Sequence, residues 1–205
     1  MVLNRLSDSQ ARLLGFLPLS FFLAQAIHYW QTNELGHTLW MCNIGNLMLA
    51  IGMFMRQPIL IRVAVMWAMP GLVVWSIYVP PTWGTLFTGQ YSFTQLFGVL
   101  SSSLAHLGGL AVGLMILRRV GMDRWAWVYA FAWYLVMQVV SRLFTPANLN
   151  VNLAHRIQDG FEGAFSSYLK FWLLLTFLVA VFAWLICYLL QRIWPAEKVL
   201  SSFPT

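Results

Sequence analysis

Cys42 and His106 are the residues whose chemistry stands out most against their surroundings, because each lies inside a long apolar run. The run over residues 38–55, TLWMCNIGNLMLAIGMFM, carries Cys42, Asn43 and Asn46 close together. A hydrophobic helix has no solvation reason to bring a thiol and two carboxamides to that depth, and an ionisable group inside a membrane is costly enough to mark a site. A thiol beside an imidazole can perform acyl transfer. The imidazole removes the proton, the sulfur attacks an ester carbonyl, and a carboxamide donates to the oxyanion. Cys42 and His106 are therefore the candidate catalytic pair. Asn43, Asn46, Gln138, Arg142 and Asn152 are candidate oxyanion or substrate-binding groups. Each has a plainer role open to it: a buried cysteine packs as a small hydrophobe, a neutral His106 can bond Ser102 or Ser103 as helix glue, and Arg142 can snorkel to headgroups or hold a lipid phosphate.

The elements that must position these groups are membrane spans. The 205 residues are 60% hydrophobic and 9% charged, with eleven Trp and mean hydropathy +0.71, outside the range of soluble domains. The expected fold is all-α, a polytopic transmembrane bundle of six helices forming a single domain over residues 1–205. The apolar segments are 11–30, 38–55, 60–79, 93–117, 125–144 and 169–193, each long enough for about 30 Å of hydrocarbon. Arg5, Arg12 and Ala24-Gln25-Ala26 imitate a signal peptide, but residues 13–30 are long enough to span, so this segment is read as a retained helix. Pro70-Gly71 predicts a kink in the third helix. Ser101, Ala105, Gly109 and Gly113, at intervals of four, predict a close-packing seam on the fourth.

Charge sets the orientation. With a cytoplasmic N-terminus, Arg5, Arg12, Arg56, Arg62, Arg118, Arg119, Arg124, Arg192 and Lys198 face inward, and Arg142, Arg156 and Lys170 face outward. Both termini are then cytoplasmic, and the expected location is the inner (plasma) membrane of a bacterial cell. The net charge of +6 speaks to orientation and not to nucleic acid. The outer connections are 31–37, 80–92 and the longer 145–168, a candidate lid that can hold an interfacial helix.

Counting about 1.5 Å per residue from the anchoring arginines places Cys42 about 21 Å up, His106 about 18 Å, Gln25 about 20 Å and Gln138 about 21 Å. Thiol, imidazole and two carboxamides share one level, toward the outer leaflet. Cys187 lies near the opposite side and cannot pair with Cys42. The catalytic reading needs no cofactor, and no metal-ligand spacing occurs. In a competing, non-catalytic class, His28 and His106 ligate haem or pigment and the outer loop docks a partner protein. The only lysines, Lys170 and Lys198, lie at or beyond helix ends, which argues against a retinal Schiff base. All six acidic residues fall outside the spans, which argues against an ion-coupled transporter.

The run Leu39-Trp40-Met41-Cys42-Asn43-Ile44 resembles the Leu-x-x-Cys-x-x segment of the YwaF-type bacterial integral membrane proteins and their eukaryotic transmembrane acyltransferase relatives. Ser103-Leu104-Ala105-His106 resembles that family's Ser/x-His, and residues 148–152 followed by Tyr168 fall where the family has an Asn-Tyr turn and a Pro-Tyr. In this chain Asn152 is followed by Leu153. The resemblance implies a six- or seven-helix bundle with Cys42 as nucleophile and His106 as base, acting on acyl esters of lipids. A similar site with Thr in place of Cys is associated with the androgen-induced family of membrane lipid hydrolases. Membrane lipids are the expected partners, with a homo-oligomer or a partner membrane protein as further possibilities.

Overall fold

The computed structural model describes residues 7–78 and 92–196. Arg5, Glu197, Lys198 and residues 80–91 of the second outer connection lie outside this range. The chain is helical: α1 (Asp8–Leu14), α2 (Phe16–Gln31), α3 (Met41–Phe54), α4 (Pro58–Tyr78), α5 (Phe93–Ser103), α6 (Gly109–Val120), α7 (Ala126–Phe144) and α8 (Tyr168–Ile193). A π-turn, Leu104–Gly108, joins α5 to α6 in one rod. Five stretches are long and apolar enough to cross a membrane: Asp8–Gln31, Pro58–Ile77, Phe93–Val120, Ala126–Phe144 and Tyr168–Ile193. This is the architecture of a multi-pass membrane protein.

The second apolar segment corrects the expectation of six full-length spans. α3 begins at Met41, not Thr38, and its 14 residues reach about 21 Å, short of about 30 Å of hydrocarbon. A 3₁₀ turn, Leu35–Leu39, precedes it, and Trp40 is extended (φ −56°, ψ 135°). The cause lies far along the chain, in the side chain of Asn152, which takes the first amide of α3. α4 runs helical through Pro70. The outer connection before α8 holds three 3₁₀ turns, Ala147–Leu149, Val151–Leu153 and Glu162–Ala164, and no longer helix.

Helix starts follow local chemistry. Ser7 and Gln10 form a capping box on α1, Ser92 and Gln95 form one on α5, and the Ser167 hydroxyl accepts the Lys170 amide at α8. Between helices, lipid offers no hydrophobic drive, so close packing and hydrogen bonds must hold the bundle. The small-residue seam meets that need. A Cβ on Gly113 would lie 2.9 Å from Val65 Cγ2, Ala105 is buried, and the Ser101 hydroxyl accepts from Gln25 Nε2 at 2.6 Å. Gly52 lets α3 approach α4 in the same way, at 3.0 Å from Leu60 Cβ.

The basic residues gather at one end. Asp8 pairs with Arg56 at 2.9 Å and with Arg119. Arg62 donates to the Gly121 and Val120 carbonyls at 2.8 and 3.2 Å, and the Met122 amide donates to Trp194 O at 2.6 Å. Both ends of the described chain therefore lie on this face. Cys187 lies there too, its thiol 3.2 Å from the Asp123 carbonyl.

Candidate functional site

The start of α3, the middle of α4 and the π-turn enclose a cavity of about 370 Å³, whose lining includes Cys42, His106, Gly71, Trp75, Tyr29 and Asn152. Cys42 and His106 thus share one cavity, with Gly71 as the spacer. A Cβ on Gly71 would stand 2.8 Å from Cys42 Cβ and 3.7 Å from His106 Cδ2. Gly71→Val should drive these groups apart and slow thiol alkylation about 100-fold, the usual effect of a misplacement of about 1 Å. Intact-mass kinetics on protein shown folded by circular dichroism check this, and a rate within twofold of wild type refutes the spacer role.

His106 is set by its backbone. Its Nδ1 lies 2.9 Å from the Ser102 carbonyl, which can only accept, so Nδ1 carries the proton and Nε2 has a lone pair. Among the described residues, no group donates to Nε2. Trp75 stacks on the ring (centroids 5.8 Å, 20°) and donates from Nε1 to the Ser102 hydroxyl at 3.1 Å. The helix-glue alternative is met in part, through the Ser102 carbonyl within the same helix and not through a hydroxyl.

The π-turn explains Asn46. In an α-helix the Gly109 amide would bond Ala105 O, but here it reaches Leu104 O and His106 O. Asn46 Nδ2 takes the bypassed carbonyl at 3.0 Å and also donates to Cys42 O at 3.1 Å. One side chain therefore ties the turn before His106 to the helix carrying Cys42. Its carboxamide lies against Gly109, where a larger residue would meet Asn46 Oδ1.

Cys42 occupies the second position of α3, so the aligned amides of the first turn favour negative charge at the thiol. The Cys42 and Asn43 amides lie beside its sulfur. Asn43 Nδ2 donates to His37 O at 3.0 Å. At the rim, His37 Nδ1 accepts the Trp40 indole N–H at 2.8 Å. Burial pushes the His37 imidazole below its ordinary pKa, with Glu34 opposing, which keeps that lone pair free for Trp40.

The remaining candidates form the roof. Asn152 Nδ2 donates to Leu39 O and Ser141 Oγ, both at 2.8 Å, and its Oδ1 accepts the Met41 amide at 3.0 Å. Gln138 Nε2 donates to Asn152 O at 2.6 Å, and its Oε1 accepts from Trp172 Nε1 at 3.2 Å. Arg142 donates to Ala154 O at 2.8 Å and lies over the Tyr168 ring. Asn46 and Asn152 thus have both amide protons engaged, so neither can donate to an oxyanion without giving up a bond. Gln138 and Arg142 hold the loop. His28 packs over Gly98, beside Tyr29 and Phe97, and is absent from the lining of the His106 cavity. Among the described residues, no three His, Cys, Asp or Glu side chains gather as a metal site.

Sequence reasoning missed Tyr29, Gly71 and Trp75. The Pro70-Gly71 pair was legible as a break in an apolar run, but its use as a spacer was not. Nothing marked Trp75 among eleven tryptophans. No family model, curated protein or solved structure matches the chain.

Proposed function

We propose that this protein is an intramembrane lipid acyltransferase or lipid-ester hydrolase in which Cys42 is the nucleophile and His106 the general base. The observation that carries the reading is the shared cavity, in which a thiol at a helix start lies across Gly71 from an imidazole held with Nε2 unprotonated. His106 Nε2 takes the thiol proton as Sγ attacks the ester carbonyl carbon. The carbonyl–oxygen bond of the lipid then breaks, and His106 returns the proton to the departing oxygen, leaving a thioester on Cys42. A hydroxyl of a second lipid, or water, attacks that thioester with His106 again as base. The thiol is restored, and a new ester or a fatty acid leaves. With Asn46 and Asn152 committed elsewhere, the candidate oxyanion donors are the Cys42 amide beside the sulfur and the hydroxyl of Tyr29, which lines the same cavity. One such donor is worth about 3 kcal/mol. The likeness to the YwaF-type proteins points the same way. The charge asymmetry supports a cavity toward the outer leaflet of the inner (plasma) membrane, with both termini cytoplasmic.

The test is labelling of detergent-solubilised protein with a lipid-like thiol-reactive probe. Label should be lost in Cys42→Ala and retained in Cys187→Ala. If Cys42 reacts no faster than Cys187, the enzymatic reading is wrong.

A further inference from the structure

Below the cavity, toward the basic end, a second hollow of about 350 Å³ lies between α4 and α8. Trp67, Pro70 and Val179 line both, so the two hollows are immediate neighbours. The hollow is apolar throughout, and small residues make it: Ala130 and Ala183, both buried, sit where longer side chains would fill the space. Trp67 is fixed at the junction by its Nε1–H to Ala130 O at 3.1 Å and by stacking on Tyr134 (5.9 Å, 16°). The lip consists of Leu178, Val181, Phe182 and Leu185, all exposed, on a helix of spanning length. An opening so placed faces hydrocarbon and not water.

We infer that this groove is the berth of one acyl chain of a bilayer lipid, entering sideways between α4 and α8, and that Ala183 sets how long a chain it takes. The inference deepens the proposed function and rests on it for the position of the reacting ester beside Cys42. From the shared residue Val179 the groove runs to Leu185, about 9 Å along α8. A chain whose ester lies in the cavity therefore extends past Trp67 toward the opposite leaflet. Polar headgroups have no partner in the groove, so only the chain can occupy it.

The experiment uses the full chain in phosphatidylcholine vesicles containing a phosphatidylcholine with a diazirine near the end of one acyl chain. Crosslinks mapped by mass spectrometry should concentrate on Met66 and residues 178–185. In Ala183→Trp they should fall about tenfold, as expected when about two methylenes lose their contacts. Alkylation of Cys42 by iodoacetamide should stay within twofold of wild type. Crosslinks spread evenly over all lipid-facing helices, or unchanged by Ala183→Trp, overturn the inference and leave annular lipid only. Should Ala183→Trp not fold, Val181→Trp at the lip gives the same comparison. Concentrated crosslinks with an inert Cys42 in the wild type uphold the groove while refuting the catalytic reading. A reactive Cys42 with scattered crosslinks does the reverse.

Discussion

Alkylation of Cys42 should slow between 100- and 10,000-fold, the contribution of a positioned general base, when His106 is replaced by alanine. The geometry argues for an effect of this size. The half-buried Cys42 thiol lines a largely apolar cavity, and the Nε2 lone pair of His106 is the base that the cavity offers. The Ser102 carbonyl fixes the tautomer and Trp75 stacks on the ring, which holds the imidazole in place beside the cavity. His106→Gln retains much of the volume and should be nearly as slow as alanine. Added imidazole should restore part of the rate in His106→Ala, because it can occupy the vacated space and accept the proton. A merely structural histidine predicts otherwise: glutamine would rescue, imidazole would not, and any slowing would track loss of helix content. That pattern would end the case for a catalytic pair.

The second large effect is expected at Asn152, and it concerns stability. Its side chain makes three hydrogen bonds in a buried setting, and its carbonyl accepts a fourth from Gln138. Asn152→Ala would leave the Met41 amide, the Leu39 carbonyl and the Ser141 hydroxyl without these partners. Buried unsatisfied groups cost about 1–3 kcal/mol each. The backbone adds to this, since Asn152 has φ 53° and Leu153 φ 59°, a region that asparagine tolerates better than alanine. A loss of about 3–5 kcal/mol follows, seen as a fall in detergent melting temperature of about 10–15 °C. Asn152→Gly separates the two causes, because glycine accepts the positive φ but makes none of the side-chain bonds. If Asn152→Gly melts with the wild type, the side-chain bonds are unimportant and the roof is held by other means.

The same residue shows where sequence reasoning stops. Residues 38–40 are as compatible with a helix as those that follow, and apolarity alone extends the segment to Thr38. The observed start at Met41 depends on Asn152, more than a hundred positions away, offering Oδ1 to one amide and Nδ2 to the carbonyl two residues earlier. The π-turn at His106 is likewise silent in a run of Ser, Leu, Ala and Gly. It is accommodated because Asn46, on another helix, takes the carbonyl that the turn releases.

From composition and order alone came the helical class, five of the six span placements to within a few residues and the gathering of most arginines at one end. The common level of Cys42 and His106 came from the same source. These follow from the contact of each segment with its solvent: hydrocarbon demands continuous apolar runs with internally bonded backbone, and counting from a charged anchor measures depth. Depth does not say which helix faces point at each other. That Cys42 and His106 line one cavity on either side of Gly71, that Asn46 and Asn152 have both amide protons engaged, and that a hollow opens between α4 and α8 were decided by tertiary structure. These are relations between segments, set by the packing of small residues and by hydrogen bonds between buried polar groups of different helices.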